Sequence, residues 1–254
     1  MSVARLTQAF AKRKALVTYL MAGDGGAQAT VETVVALAKA GADVIELGFP
    51  FSDPIADGPV IQKAAMRARD AGTTLEGVLE IAKAARARVE VPLVLMGYLN
   101  PVLAYGVERF VARAAECGVD GLIIPDLPPE EAGELVASAT KHDVATVFLL
   151  APTSTADREA AVIAASTGFL YFVSVTGVTG ARAVAPDVGA HVQRVRARAK
   201  VPVAVGFGIS SKEQAQRVAA FADGVVVGSA LVDLMARGEP VEPFVAALRA
   251  GLDA

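Results

Sequence analysis

Short strand-like runs recur along this chain at intervals of roughly 25–35 residues, each followed by an amphipathic stretch, and that alternation spells successive βα units. The runs are Ala15–Gly23, Val44–Gly48, Pro92–Tyr98, Gly121–Asp126, Ala145–Pro152, Leu170–Val175, Pro202–Gly208 and Gly224–Ala230, eight in all. Helical spacing fills the intervals, as in Ala27–Ala40 (Val31, Val34, Val35, Leu37, Ala38) and Gly106–Cys117 (Phe110, Val111, Ala114). Gly41-Ala42-Asp43, Gly118-Val119-Asp120 and Ala222-Asp223-Gly224 read as helix C-caps and turns before the next strand. Eight regular units without a switch point predict closure into a (β/α)8 (TIM) barrel rather than an open doubly wound sheet. No linker or shift in composition divides residues 1–254, so one domain is expected, and the length matches the roughly 250 residues of such barrels. Two features exceed the minimum. A helix at Val3–Arg13 is expected to plug the barrel floor, and long loops follow the second strand (Phe49–Pro59) and the sixth (Thr176–Pro186). Both loops fall on the C-terminal face, where barrel enzymes keep their chemistry.

Hydrophobic residues make up 54% of the chain, yet Gly, Asp, Glu or Pro interrupts every run before the roughly 18 residues of a membrane span. The apolar content is instead spread over short segments, as buried parallel strands require. A net charge of −3 with scattered Lys and Arg argues against nucleic acid or an anionic membrane as partner. The single cysteine, Cys117, excludes an internal disulfide and suits a reducing cytoplasm. Lys12-Arg13-Lys14 ahead of Ala15–Ala22 imitates a signal peptide, but the helical spacing of Val3, Leu6 and Phe10 and the loss of a strand on cleavage favour mature protein.

Two glycine-bearing stretches close the seventh and eighth strands, Gly206-Phe207-Gly208-Ile209-Ser210 and Gly228-Ser229-Ala230-Leu231. Either alone reads equally as a turn. Together, in these positions, they form the usual phosphate cradle of a barrel, with the short helix Ser229–Ala236 presenting its N-terminus before the final helix, Pro240–Leu252. Gly180, in the loop after the sixth strand, is a candidate third N–H donor. In Val44-Ile45-Glu46-Leu47-Gly48, strand alternation turns Val44, Glu46 and Gly48 into the barrel and Ile45 and Leu47 toward helices. A carboxylate there is costly unless paired or used, and no Lys or Arg lies within any of the eight runs. Asp53, before Pro54, reads as a turn former. Asp57 reads locally as a helix cap for Val60–Ala71, although its loop is long enough to carry it over the mouth near Glu46. Tyr171 fits either the core or a substrate contact. Every lysine lies outside the strands, which removes a Schiff-base aldolase. His142 and His191 lie in helical segments away from the strand ends, which removes a metal site. Proton transfer by carboxylates beside an anchored phosphate remains.

The stretch Glu46-Leu47-Gly48-Phe49-Pro50-Phe51-Ser52-Asp53-Pro54-Ile55-Ala56-Asp57-Gly58-Pro59 resembles the signature of the tryptophan synthase α-subunit family. Gly177-Val178-Thr179-Gly180, Gly206–Ser210 and Gly228-Ser229-Ala230 match its later motifs in order, so the resemblance runs from the first helix to the last. It implies retro-aldol cleavage of indole-3-glycerol phosphate to indole and glyceraldehyde 3-phosphate. It further implies an acid/base role for Glu46, an indole N–H acceptor in Asp57, and Tyr171 beside the reacting carbons. Tyr19, where some relatives carry phenylalanine, would line the indole pocket with Met96, Tyr98 and Phe207. Gly180, Gly208, Gly228 and Ser229 would hold the phosphate, and Thr179 would belong to a lid that contacts Asp57. The resemblance also implies a β subunit in an α2β2 complex, which carries the pyridoxal phosphate, so that no cofactor is expected in this chain. Two departures stand out: Gly25 follows Asp24 where many relatives have proline, and Val175-Thr176 precede Gly177 where others carry arginine and alanine. The rival readings are another phosphate-binding barrel, such as indole-glycerol-phosphate synthase or a sugar-phosphate isomerase or epimerase, and a non-catalytic allosteric subunit. The first lacks the strand-end lysines and histidines it needs, and the second leaves the Glu46/Asp57 pair without a reason.

Overall fold

The computed structural model describes residues 2–173, 186–206 and 208–254, with the side chains of 186 and 187 excepted. The chain runs α1 (Ser2–Ala11), β1 (Ala15–Met21), α2 (Ala27–Ala40), β2 (Val44–Gly48), α3 (Pro59–Asp70), α4 (Leu75–Arg86), β3 (Leu93–Met96), α5 (Leu99–Tyr105), α6 (Val107–Glu116) and β4 (Gly121–Ile123). It continues α7 (Gly133–Lys141), β5 (Ala145–Val147), β6 (Leu149–Leu150), α8 (Ala156–Ala165), β7 (Leu170–Val173), α9 (Pro186–Arg198), β8 (Val203–Gly206), α10 (Lys212–Ala219), β9 (Gly224–Val227), α11 (Ser229–Ala236) and α12 (Glu242–Leu252).

The strands form one parallel sheet in the order β5-β4-β3-β2-β1-β9-β8-β7-β6. Its two ends, β5 and β6, are parted by Phe148 alone, so the chain itself closes the ring. The run expected as one fifth strand is therefore split at a single residue, and the eight-unit barrel stands. Alternation survives the break, because Val147 and Leu149 belong to the inner cluster while Phe148 packs outward. The second run ends where expected, at Gly48, but others overshoot at their C-terminal ends; β4, for instance, leaves the sheet after Ile123 rather than Asp126. There the chain turns away to build the mouth.

Strand alternation divides the core in two. Leu16, Leu20, Ile45, Leu47, Leu93 and Leu95 face the helices, whereas Val17, Val44, Val94, Ile123, Ala204 and Val226 fill the barrel. Helix α1 plugs the floor, as its spacing predicts: Leu6 is fully buried, and the Phe10 ring lies 5.3 Å from that of Phe169. Glycine makes the room. A Cβ on Gly168 would come within 2.6 Å of Leu6, and one on Gly224 within 2.7 Å of the Phe10 ring. Gly224, which the sequence presents as a turn residue, thus serves the plug; Gly41 and Gly118, by contrast, do take the left-handed backbone of a helix end.

The three aspartates of the same turns brace the strand starts. Each backbone N–H of Asp43, Asp120 and Asp223 donates to the carbonyl of Leu16, Leu93 and Val203 respectively, at 2.8–2.9 Å. Each carboxylate accepts the N–H of that same residue, also at 2.8–2.9 Å. Arginines neutralise them: Arg13 and Arg249 on Asp43, Arg5 and Arg86 on Asp120, Arg196 on Asp223. Arg249 also donates to the Lys14 carbonyl at 2.9 Å, tying α12 to the start of β1. Above β1, Gly25 has φ +82°, a backbone that proline, fixed near −65°, does not take. Its neighbour Asp24 accepts two hydrogen bonds from Arg67 of α3 at 2.6 and 2.7 Å. Among the described residues no helix is long and apolar enough to cross a membrane.

Asp43→Ala is expected to cost about 3 kcal/mol, since it strands the Leu16 N–H and robs a buried arginine of one partner. Asp223→Ala should cost less, because Arg196 is about a third exposed while Arg249 is 8% exposed. Urea midpoints at an unchanged slope would measure both.

Candidate active site at the barrel mouth

Glu46 sits in the middle of β2 on the inward face, wholly removed from solvent. Neither carboxyl oxygen has a hydrogen-bond partner among the described residues. Burial without a compensating donor disfavours the anion and pushes its pKa up to about 8. The ring register sets Tyr19 of β1 beside Glu46 on one side and Val94 of β3 on the other.

Two glycines on inward positions seat two tyrosines. A Cβ on Gly48 would lie 2.1 Å from the Tyr19 hydroxyl, and one on Gly206 would lie 2.8 Å from the Tyr171 hydroxyl. Each phenol therefore rests in the notch left by a missing side chain on the next strand. Both are pushed well above the usual tyrosine range, first by burial and then by the negative charges of Asp57 and Glu46. These four groups share one space.

The structure corrects the local reading of Asp57 as a helix cap. Helix α3 begins one residue earlier than expected, at Pro59, so its N-cap is Gly58 and no side chain caps it. Proline needs no partner for a missing N–H, and the aspartate is released for other contacts. Asp57 instead lies at the mouth, half-buried, beside Tyr98, which follows β3 as the N-cap of α5. Burial raises its pKa, and a hydrogen bond with the Tyr98 side chain opposes that rise. The Tyr98 hydroxyl also accepts the Ala56 N–H at 3.0 Å, its ring packs 5.5 Å from Phe51, and Gln62 Nε2 donates to the Asp57 carbonyl at 2.8 Å. Tyr98 itself is pushed up by burial and by the charge of Asp57. Tyr19, Asp57, Met96 and Tyr98 line one small cleft with Met21, Phe49, Gly97 and Pro125. Asp53 stays exposed on the turn, where its carbonyl accepts the Ile55 N–H at 2.9 Å.

At the other side of the mouth, Gly208 and Gly228 follow neighbouring strands β8 and β9. Gly208 has φ +60° and open space where a Cβ would stand. Gly228 is the N-cap of α11, Ser229 is its exposed first residue, and a Cβ on Gly228 would sit 3.5 Å from Tyr19. The cradle expected for phosphate and the carboxylate end thus meet across Tyr19. Thr179, Gly180, Phe207 and the Val175-Thr176 departure lie outside the described residues. Among the described residues no group of His, Cys, Asp and Glu is arranged to hold a metal ion.

Sequence reasoning missed the notch at Gly48, although alternation already placed that glycine on the face of Glu46. It also missed the bond between Tyr98 and Asp57, for which the linear sequence carries no signal, since the two residues meet only through the loop's fold.

A parallel barrel with a buried carboxyl that has no partner among the described residues, and a second carboxyl at its C-terminal mouth, has the form of a barrel enzyme with its site at the strand ends. The family model described as "Tryptophan synthase alpha chain" matches residues 6–249. The tryptophan synthase alpha chain of Geobacter sulfurreducens is 53% identical over 244 residues, covering 93% of this chain and 92% of that one. Its counterpart from Dehalococcoides mccartyi is 46% identical over 255 residues, covering 99% and 100%. Among solved structures, tryptophan synthase of Mycobacterium tuberculosis superposes with a TM-score of 0.93 at 41% identity, and the alpha subunit of Legionella pneumophila with 0.91 at 37%, each covering 98% of both chains. The chain belongs to the tryptophan synthase alpha chain family, carbon–carbon lyases that cleave indole-3-glycerol phosphate to indole and glyceraldehyde 3-phosphate. This membership excludes the synthase, isomerase and epimerase alternatives.

The buried carboxyl has a measurable signature in stability. In the unfolded chain Glu46 loses its proton near pH 4.5, whereas in the folded chain it holds it to about pH 8. The native state binds more protons over that window, so Glu46 makes stability fall as pH rises through it, and the loss is complete above about pH 8. Glu46→Gln should therefore melt near wild type at pH 4 and progressively above it toward pH 8. The gap should reach the equivalent of a few kcal/mol, at roughly 1.4 kcal/mol for each pH interval of one between the unfolded and folded titrations. Parallel melting curves at both pH values would count against a buried neutral carboxyl.

Proposed function

We propose that Glu46 is the proton carrier of the cleavage and Asp57 its electrostatic partner. The observation that carries this reading is the carboxyl of Glu46, buried and without a partner among the described residues. A group that keeps its proton to about pH 8 is an acid at neutral pH and becomes a base once the proton is given up. Glu46 donates its proton to C3 of the indole ring, which leaves a positively charged indolenine. The electrons of the bond between C3 and the glycerol chain then flow into the ring toward its nitrogen. The adjacent hydroxyl becomes the aldehyde and returns its proton to Glu46, which ends the cycle as it began. Asp57 accepts the indole N–H and stabilises the positive charge on the ring. Its burial beside Tyr98 strengthens that attraction by lowering the local dielectric.

The ring is an electron sink built into the substrate, so the scheme asks for neither a strand lysine nor a metal. Tyr171 stands beside the reacting carbons, and Tyr19, Met96, Tyr98 and Phe207 enclose the indole. Gly180, Gly208, Gly228 and Ser229 hold the phosphate through backbone N–H groups and the start of α11. Thr179 belongs to the lid that closes on Asp57. The partner is a β subunit in an α2β2 assembly, which receives the indole and holds the pyridoxal phosphate; this chain carries no cofactor. The site of action is the cytoplasm, which keeps Cys117 a thiol.

Indole release from indole-3-glycerol phosphate tests the assignment directly. Glu46→Gln should lower turnover at least ~10²-fold, the lower end for a positioned acid/base, while glycerol phosphate still binds by calorimetry. Near-normal turnover in that variant would sink the reading. Adding a β subunit should accelerate the chain, because lid closure excludes water from the site; an unchanged rate would remove the coupling.

A further inference from the structure

The proposed cycle leaves the Tyr19 hydroxyl without a task. Its position is nevertheless fixed. The β1–β2 register sets Tyr19 directly across from Glu46, and the phenol reaches past it to rest on the bare Cα of Gly48. A methyl group there would lie 2.1 Å from the hydroxyl, so the notch fits this oxygen only while residue 48 is glycine. The ring is buried, with 7% exposure, and lines the cleft that also holds Asp57 and Tyr98. Neither Glu46 oxygen has a hydrogen-bond partner among the described residues. A phenol donor and an acid that must pass part of the cycle as an anion therefore stand on neighbouring strands around one buried space.

The anionic half of the cycle creates the need. After protonating the indole ring, Glu46 is a buried carboxylate with no donor among the described residues, a costly state for a side chain. Among the described residues, the ionisable groups sharing this space are Tyr19 from β1, Tyr171 from β7, Asp57 from the loop before α3 and Tyr98 at the N-cap of α5. Asp57 is itself an acceptor, and Tyr98 is engaged with Ala56 and Asp57. Tyr171 reaches in from a strand that is not adjacent to β2, its hydroxyl held against Gly206. We propose that Tyr19 is a positioning residue for Glu46: once the proton is on the substrate, the Glu46 carboxylate turns toward the hydroxyl held over Gly48 and accepts a hydrogen bond from it. No proton leaves Tyr19. Glu46 recovers its own proton from the substrate hydroxyl as the carbon–carbon bond breaks, and the bond from Tyr19 is released. The inference rests on the acid/base reading of Glu46.

Tyr19→Phe in the full chain keeps the ring and deletes the donor. Turnover should fall about tenfold with KM changed less than about twofold, because the bond is made only in the charged half of the cycle. Titration of Glu46 followed by carbon NMR, assigned by its absence in Glu46→Gln, should have its midpoint raised by about one on the pH scale, as loss of a hydrogen bond to a charged group implies. Gly48→Ala, which displaces the hydroxyl while leaving it on the ring, should move the titration the same way. Packing alone would raise KM or lower stability without touching the titration, and that result overturns the proposal. So does a titration that follows Tyr171→Phe and ignores Tyr19→Phe. If Glu46→Gln is inactive and Tyr19→Phe behaves as wild type, only the role of Tyr19 falls. If Glu46→Gln stays active, the acid/base reading falls and takes this inference with it.

Discussion

The closed ring of parallel hydrogen bonds is the constraint on which everything else in this molecule depends. Once β5 and β6 are joined through Phe148, every inward side chain enters a space sealed from water on all sides but the mouth. Inside the ring Glu46 is buried with no partner among the described residues, and its proton is held to about pH 8. The chemical identity of the residue is thus set by the architecture as much as by its carboxyl group.

Glycine is used the same way at both ends of the barrel, for opposite purposes. At the floor, Gly168 and Gly224 give up side-chain volume so that Leu6 and Phe10 of α1 can enter and exclude water. At the mouth, Gly48 and Gly206 give up volume so that two phenols can reach the space around Glu46. The first use is packing, since close-packed interiors leave few voids larger than a water molecule. The second places polar atoms where an apolar residue would have closed the site.

Carboxylates divide along the same axis. Asp43, Asp120 and Asp223, at the strand starts, each hold a backbone N–H and at least one arginine, and they lock the ring. Glu46, on the inward face of β2, has no partner among the described residues. Pairing makes a buried charge tolerable and inert; leaving it unpaired costs stability and keeps it reactive. The molecule spends stability at one residue and recovers it at three.

The linear sequence alone determined the period of the barrel, the inward face of β2 and the family motif, because alternation along a strand and βα spacing are local properties of the chain. It placed Glu46 and Gly48 on one face, and α1 under the floor, before any contact was known. What it left open was which distant residues meet. Asp57 read locally as a helix cap, and only the fold, by starting α3 at Pro59 and setting Tyr98 beside the loop, turned it toward the mouth. Gly224 looked like a turn and became the seat of Phe10; the aspartates of three turns became braces for neighbouring strands. Contacts of this kind join residues far apart in the chain, and their energies exist only once closure has brought the strands side by side and shut out the water that would otherwise compete for the same groups.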